Sequence, residues 1–315
     1  MTMHGLITMS GRMAMELGLA QLAQTTIAPE SSPGLIQRSF EALVLGLVQG
    51  LTEFLPISST AHLKVVPVAL GWGDPGVAFT AVIQLASIVA ILWYFWNDVV
   101  QVVRGSLRAI VQKDYQSLDF RMGMGIVLGT IPIVIGGVLI KLFVPDFDNS
   151  PLRSMGAIAI TSIALAMFLA LAEYMGRRKR VLEDLGISDG IWMGLAQAIA
   201  IMPGVSRSGS TITAGLFLGM DRAAAARFSF LLGLPAITLA GLVEMKGLLE
   251  TSLAGTGGII PIVIGLLSAG LSSYAAIAWL LHYLQTRSMW IFIWYRVGFG
   301  MAILGAIAAG LVPNI

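Results

Sequence analysis

The sequence predicts an all-α polytopic membrane protein built as an inverted repeat, each half holding one re-entrant helical hairpin plus three transmembrane helices. Three observations predict it. Of the 315 residues, 57% are hydrophobic and only 11% are charged, with a mean hydropathy of +0.85. Six apolar runs are long enough to cross a bilayer, which takes roughly 20 residues. Two further apolar stretches are broken in the middle, and they resemble each other.

Composition excludes several classes. A soluble domain carries about 25% charged residues, so this chain is no ordinary cytoplasmic enzyme, disordered chain or nucleic-acid binder. Lys plus Arg (19) nearly balances Asp plus Glu (17), so the chain has no general basic character. Zero Cys removes disulfides, thiolate metal sites and cysteine nucleophiles.

Taken in order, residues 1–37 are an N-terminal extension. Its Met13–Ala23 run is short and interrupted by Glu16, which fits an interfacial helix or an upstream start codon better than a signal peptide. Residues 38–315 form a single membrane domain. The first broken stretch is Glu41–Leu70, and the second is Ser188–Gly219. Their breaks read Leu55-Pro56-Ile57-Ser58-Ser59-Thr60 and Met202-Pro203-Gly204-Val205-Ser206-Arg207-Ser208. Proline removes a backbone donor and disfavours helix in the residue before it. Non-helical backbone at membrane depth persists only where protein buries it or it lines a wet cavity. Each stretch therefore reads as a hairpin that enters and leaves by one side. The spans are Val77–Trp96, Phe120–Phe143, Arg153–Met175, Arg222–Met245, Gly258–His282 and Met289–Val312.

At a constant offset of 148 residues, Gly46-Leu47-Val48-Gln49 lies on Gly194-Leu195-Ala196-Gln197, Ser58 on Ser206 and Ser59 on Arg207. With one inserted residue, Phe79–Ile83 lies on Phe228–Leu232. Repeat 1 covers about 41–175 and repeat 2 about 188–312. Three spans per half is an odd number, so the second half is inverted, with a site where the broken helices meet. Arg104, Arg108 and Lys113, in the loop after the first span, fall with Arg177–Arg180, Arg222, Arg227 and Arg287 on the cytoplasmic side. The first hairpin then dips in from the outer face and the second from the cytoplasm.

Ionisable groups inside a membrane are functional by default. Glu53 is the one carboxylate within the first hairpin's apolar run, and Gln49 lies one turn before it on the same face. Ser58, Ser59, Thr60 and His62 follow, with His62 one turn beyond Ser59 and in sequence range of its hydroxyl. In the second hairpin Arg207 stands among Ser206, Ser208, Ser210 and Thr211 after Pro203-Gly204. A turn that opens a helix presents free amides to an anion, and arginine grips phosphate through two donors. Each feature has a plainer reading: N-capping serines, a proton-relay glutamate, a structural Arg207–Glu53 pair, a core histidine. None of these explains why an acid, a serine and a histidine face an arginine cradle across the repeat. Glu173 and Glu244, at span ends, read as interfacial.

The set suits phosphoryl transfer. Arg207 and the amides around it are placed to hold phosphates, with Ser206, Ser208, Thr211, Ser58 and Thr60 as the neighbouring hydroxyls; Ser59 is the candidate nucleophile with His62 as its base. Glu53 and Gln49 are candidate ligands for a divalent cation, Mg²⁺ or Ca²⁺. A site among apolar helices points to a lipid-borne phosphate.

The stretch from Glu41 through Gln49, Glu53, Ser58 and Ser59 to His62 resembles the first signature of the undecaprenyl-diphosphate phosphatase family, also known as the bacitracin-resistance BacA family. Pro203-Gly-Val-Ser-Arg207-Ser-Gly-Ser-Thr211 resembles its second. The resemblance covers roughly residues 38–312. It implies hydrolysis of undecaprenyl diphosphate to the monophosphate and phosphate in the bacterial cytoplasmic membrane, recycling the lipid carrier of cell-wall synthesis; the site is expected to face the outer side because the Glu53 hairpin enters from there. It also implies that Ser59, His62 and Arg207 match the family's proposed nucleophile, histidine and essential arginine. Members with Glu at the Gln49 position have two carboxylates for a metal, and Gln49 leaves one here; Ala61 replaces a frequent glycine. The competing class is a polyprenyl-phosphate transporter or flippase, which has no need of an activated hydroxyl at the hairpin tip. The expected partners are a polyprenyl diphosphate and the bilayer, with no nucleic acid; oligomeric state, homodimer included, stays open.

Overall fold

The structure, a computed structural model, describes residues 34–72, 76–144, 146–147, 150–250 and 258–314, without the side chains of 76–78 and 243–250. The expectations for the N-terminal extension lie outside the described residues save for its last few, and so does the side chain of Glu244. Residues 39–315 gather into one compact unit; of the other unit, 1–38, only the last five residues are described.

Among the described residues the regular structure is helical: α1 (Leu35–Phe54), α2 (Ser59–Leu70), α3 (Gly76–Tyr94), α4 (Trp96–Gln112), α5 (Leu118–Phe143), α6 (Met155–Met175), α7 (Ile187–Ile199), α8 (Arg207–Phe217), α9 (Arg222–Glu250), α10 (Ile259–Thr286) and α11 (Trp290–Ala308). Short 3₁₀ turns precede α6 and α7. Five helices, α5, α6, α9, α10 and α11, are long and apolar enough to cross a membrane. The sixth expected span, α3, meets that test only together with α4, from which it is bent by 69°. The protein is thus a multi-pass membrane protein. Its outer helices expose apolar side chains, as on α5 with Val127, Ile131, Ile135, Val138 and Leu142. Lipid is the solvent that such a face requires.

The stretch after the first span, expected as a loop, is helix α4. Its exposed Trp96, Val103, Leu107 and Ile110 recur at helical spacing beside Arg104 and Arg108, an amphipathic pattern too polar to read as a span. On another face Ser106 donates to the carbonyl of Asp119 at 2.8 Å, tying α4 to the start of α5.

Both broken stretches fold as helix–break–helix hairpins. Phe40, early in α1, meets Trp72, just past α2, with ring centroids 6.0 Å apart, so the first hairpin leaves where it enters. In the second, Arg180 bonds Asp189 at the start of α7 and the Leu218 carbonyl just past α8. That hydrogen bond to Asp189 also holds the Arg180 guanidinium above its ordinary pKa. Lys64 of α2 donates to the Arg153 carbonyl, at one end of α6, while Arg177–Arg180 follow its other end. The hairpins therefore open at opposite ends of α6.

Close glycine contacts dock each hairpin. A Cβ on Gly46 of α1 would stand 1.9 Å from Ser268 Oγ and 2.6 Å from the Gly265 carbonyl of α10. A Cβ on Gly194 of α7 would stand 2.1 Å from the Gly129 carbonyl of α5. Backbones approach this closely only where side chains are absent. Central α9 buries Phe228, Phe230, Leu231 and Leu232 in the main core with Phe54, Phe95 and Leu169. At the Arg177–Arg180 end Glu173 is 3% exposed and receives both Arg222 and Arg178. It pins α6 to the first residue of α9.

Candidate active site

The two breaks meet inside the helix bundle. Each ends in a serine with left-handed backbone: Ser58 at φ 76° and Ser206 at φ 72°. These positions are equivalent under the offset of 148. Positive φ in a residue bearing a Cβ costs about 1–3 kcal/mol and collects at functional sites. Here it turns the chain sharply into α2 and α8, so that Ser59 and Arg207 open the second helix of each hairpin.

Several bonds hold the breaks in place. Ser208 Oγ donates to the Leu55 carbonyl at 3.0 Å, from one break to the other. Thr161 Oγ1 of α6 donates to the Pro203 carbonyl at 2.7 Å. Arg296 of α11, fully buried, sends Nη1 to the Pro56 carbonyl at 3.1 Å and Nη2 to those of Gly204 and Val205 at 2.7 and 3.3 Å. Its Nε donates to the Ser162 carbonyl at 3.1 Å. The guanidinium is a clamp with one arm on each break. Sequence reasoning missed it, because no carboxylate or motif accompanies it.

Beside the breaks lies a cavity of about 200 Å³ lined by Glu53, Ser58, Ser59, Thr60, Gln84, Ile133, Ala200, Met202, Pro203, Gly204, Ser206, Arg207, Ala236, Ile237 and Ala240. One side is polar, and α5 and α9 supply an apolar wall. Ser59 Oγ donates to Glu53 Oε2 at 2.6 Å, and Gln49 Nε2 donates to the same oxygen at 3.2 Å. Arg207 Nη2 stands 3.6 Å from Glu53 Oε1, and both side chains are 11% exposed. Nη1 reaches the Ser229 carbonyl at 3.4 Å, whereas Nε and Nη2 have no hydrogen-bond acceptor among the described residues. Burying donors without acceptors is costly; two of them on one guanidinium form a fork that a phosphoryl group would satisfy. Ile201 stands at the offset position of Glu53, so the second hairpin has no matching acid and the assembly makes one asymmetric site.

The structure brings together Glu53, Ser58, Ser59, Thr60, Ser206 and Arg207 around the cavity, with Gln49 behind Glu53. It does not place three predicted residues there. His62 turns Nδ1 to the Ser58 carbonyl and Nε2 to the Tyr295 hydroxyl, both at 2.7 Å. A carbonyl only accepts, so Nδ1 carries the proton and Nε2 accepts from Tyr295. The ring stacks on Phe299 at 4.3 Å. The serine hydroxyl expected to pair with His62 pairs with Glu53 instead. Ser208 and Thr211 are fully buried: Thr211 bonds the Arg207 carbonyl and Ser229, and Ser208 bonds Leu55. They support the break from behind. Ser206 Oγ caps α8 by accepting from the Gly209 amide at 3.1 Å, while no side chain caps α2. The helix start at Ser59 thus keeps free amides that could face an anion, as does the first turn of α8 apart from the capped Gly209.

Among the described residues no three of His, Asp and Glu come together as a metal-binding group. The carboxylate at the cavity is Glu53, whose Oε1 accepts no hydrogen bond, and the Gln49 side-chain amide lies behind it with Nε2 on Oε2. Such a set fits a hard cation whose shell is completed by substrate phosphates and water.

Fold and site define a polytopic helical membrane protein with a polar-sided cavity where two broken hairpins meet. The profile of the family described as bacitracin resistance protein BacA matches residues 42–302. Undecaprenyl-diphosphatases of Nostoc sp., Trichodesmium erythraeum and Synechocystis sp. are similar to the chain. The first is 59% identical over 303 residues, covering 96% of this chain and 94% of the relative. The others are 62% identical over 275 residues (87% and 88%) and 60% identical over 279 (89% and 85%). This chain belongs to the BacA family.

Proposed function

We propose that this protein is an integral-membrane lipid diphosphatase that hydrolyses undecaprenyl diphosphate to undecaprenyl phosphate and inorganic phosphate. The observation that carries the reading is the 2.6 Å hydrogen bond from the Ser59 hydroxyl to Glu53, made beside the unsatisfied donors of Arg207. A transporter needs phosphate binding but no hydroxyl poised on a carboxylate.

The diphosphate enters the cavity with its terminal phosphoryl group between Ser59 and Arg207. Nε and Nη2 of Arg207 donate to two of its oxygens, and the uncapped start of α2 offers backbone N–H groups to a third. Ser59 Oγ attacks phosphorus while its proton passes to Glu53 Oε2. The bond from phosphorus to the bridging oxygen breaks, Glu53 Oε2 passes the proton on to that departing oxygen, and undecaprenyl phosphate leaves with the carboxylate restored. Water then cleaves the phosphoserine to free serine and phosphate, with Glu53 as the base. Gln49 keeps the Glu53 carboxylate oriented. A divalent cation at Glu53 Oε1 and Gln49, Mg²⁺ or Ca²⁺, would supply charge neutralisation to the phosphoryl oxygens. The apolar wall of Ile133, Ala236, Ile237 and Ala240 suits the start of an isoprenoid chain.

Hairpins that open at opposite ends of α6, with matching left-handed serines, support an inverted repeat. The Lys and Arg distribution supports a site facing the outer side of the bacterial cytoplasmic membrane.

The test is phosphate release from a polyprenyl diphosphate by purified protein in detergent, with and without Mg²⁺ or Ca²⁺, beside Ser59→Ala. Metal-dependent release that the alanine variant lacks supports the reading. Binding of substrate with no release by well-folded wild type refutes it, and label from the terminal phosphate that never appears on Ser59 refutes the covalent step.

A further inference from the structure

The apolar helix α3 carries Thr80, Gln84 and Ser87 on successive turns of one side. Ser87 Oγ accepts from Ser273 Oγ at 2.9 Å, and Thr80 also has a partner. Gln84 makes no hydrogen bond among the described residues, yet it lines the cavity that holds Glu53, Ser59 and Arg207. An amide carries two donors and an acceptor with two lone pairs. Leaving them unmatched within a membrane costs free energy, and a leucine there would pack at no such cost. Neither hairpin contributes this residue, so α3 adds a polar group of its own to the lining of the cavity.

The chemistry of the pocket says which ligand atoms the amide suits. Glu53 already supplies the negative charge, so another carboxylate would repel both it and an anionic ligand. A neutral N–H donor adds a hydrogen bond to phosphoryl oxygen and leaves the charge balance between Glu53 and Arg207 unchanged. We infer that Gln84 is a substrate-binding residue of this site, donating its amide N–H groups to the diphosphate from α3. The inference rests on the lipid-diphosphatase reading for its substrate, but the anion-binding role can be read separately.

The experiment compares wild type with Gln84→Leu and Gln84→Glu in detergent, with Ser87→Ala as a control on the same helix. It measures kcat and KM for phosphate release, binding of inorganic pyrophosphate by titration calorimetry, and the thermal unfolding midpoint. Gln84→Leu should lower kcat/KM and pyrophosphate affinity by about ten- to a hundredfold, the range expected of a hydrogen bond to a charged group. Its unfolding midpoint should hold or rise, since no protein contact is lost. Gln84→Glu should lose more than the leucine variant. Ser87→Ala should do the reverse, lowering the midpoint and sparing kcat/KM. Unchanged kcat/KM and pyrophosphate affinity in Gln84→Leu overturn the inference, as does a loss that tracks a lower midpoint. If wild type releases no phosphate, the diphosphatase reading fails, while the pyrophosphate titration still decides whether Gln84 binds the anion.

Discussion

Replacing Arg296 by methionine tests whether the clamp on the two breaks makes the site. The guanidinium is fully buried and bonds four carbonyls. The Ser162 carbonyl lies inside α6, where the helix offers an amide of its own. Those of Pro56, Gly204 and Val205 lie in the breaks, outside regular helix. Hydrogen bonds to a charged donor contribute about 1.5–3 kcal/mol each, so the three break contacts together supply roughly 5–9 kcal/mol. Against this, methionine removes a buried cation without a counter-ion, which relieves several kcal/mol. The net loss should be about 3 kcal/mol, and it falls on the segment that aims Ser59 and Arg207. Since about 1.4 kcal/mol is tenfold in an equilibrium, the population with both breaks docked should fall on the order of a hundredfold. Lysine has fewer donors and no planar fork, so Arg296→Lys should lie between methionine and wild type. Phosphate release and thermal unfolding in detergent, measured side by side on the three proteins, read this directly. An Arg296→Met protein with activity within twofold of wild type and an unchanged unfolding midpoint would refute the reasoning.

Other residues yield separate tests. Arg207→Lys keeps the charge but cannot present Nε and Nη2 together, so kcat/KM for phosphate release should drop by about a hundredfold; full activity would remove the two-donor assignment. His62→Gln should lower the unfolding midpoint by losing the Ser58–Tyr295 bridge and the stacking on Phe299, yet leave the shape of the pH–rate profile unchanged. Loss of the profile's acid limb in that variant would make His62 the base after all. Gln49→Glu adds a second carboxylate beside Glu53 and should keep or strengthen the dependence on Mg²⁺ or Ca²⁺, read as the metal concentration at half-maximal rate. Inactivation by that change would mean that Glu53 needs the amide N–H it now accepts.

The membrane helices and their breaks were legible because they follow from local chemistry. Apolar runs must satisfy their own backbone in lipid, and Pro56 and Pro203 interrupt them where they stand. The pairing of Ser58 with Ser206 was visible as a repeat. Helix α4 was not, because its mixed faces look like a charged loop to a hydropathy reading. Sequence proximity also misled: His62 follows Ser59 by three residues, yet its ring is taken by Tyr295, 233 residues away.

The sequence by itself determined the class of protein and the two broken stretches, and it singled out Glu53, Ser59 and Arg207, which the fold brings together. These depend on residue type and near neighbours along the chain. Tertiary structure alone decided that Glu53 rather than His62 receives the serine's hydrogen bond, that Ser208 and Thr211 face away from the cavity, and that Gln84 faces into it. It also decided that Arg296 joins the breaks. Each of these depends on where carbonyls and cavities from distant segments fall, and a hydrogen bond of about 3 Å depends on three-dimensional packing that spacing along the chain does not encode.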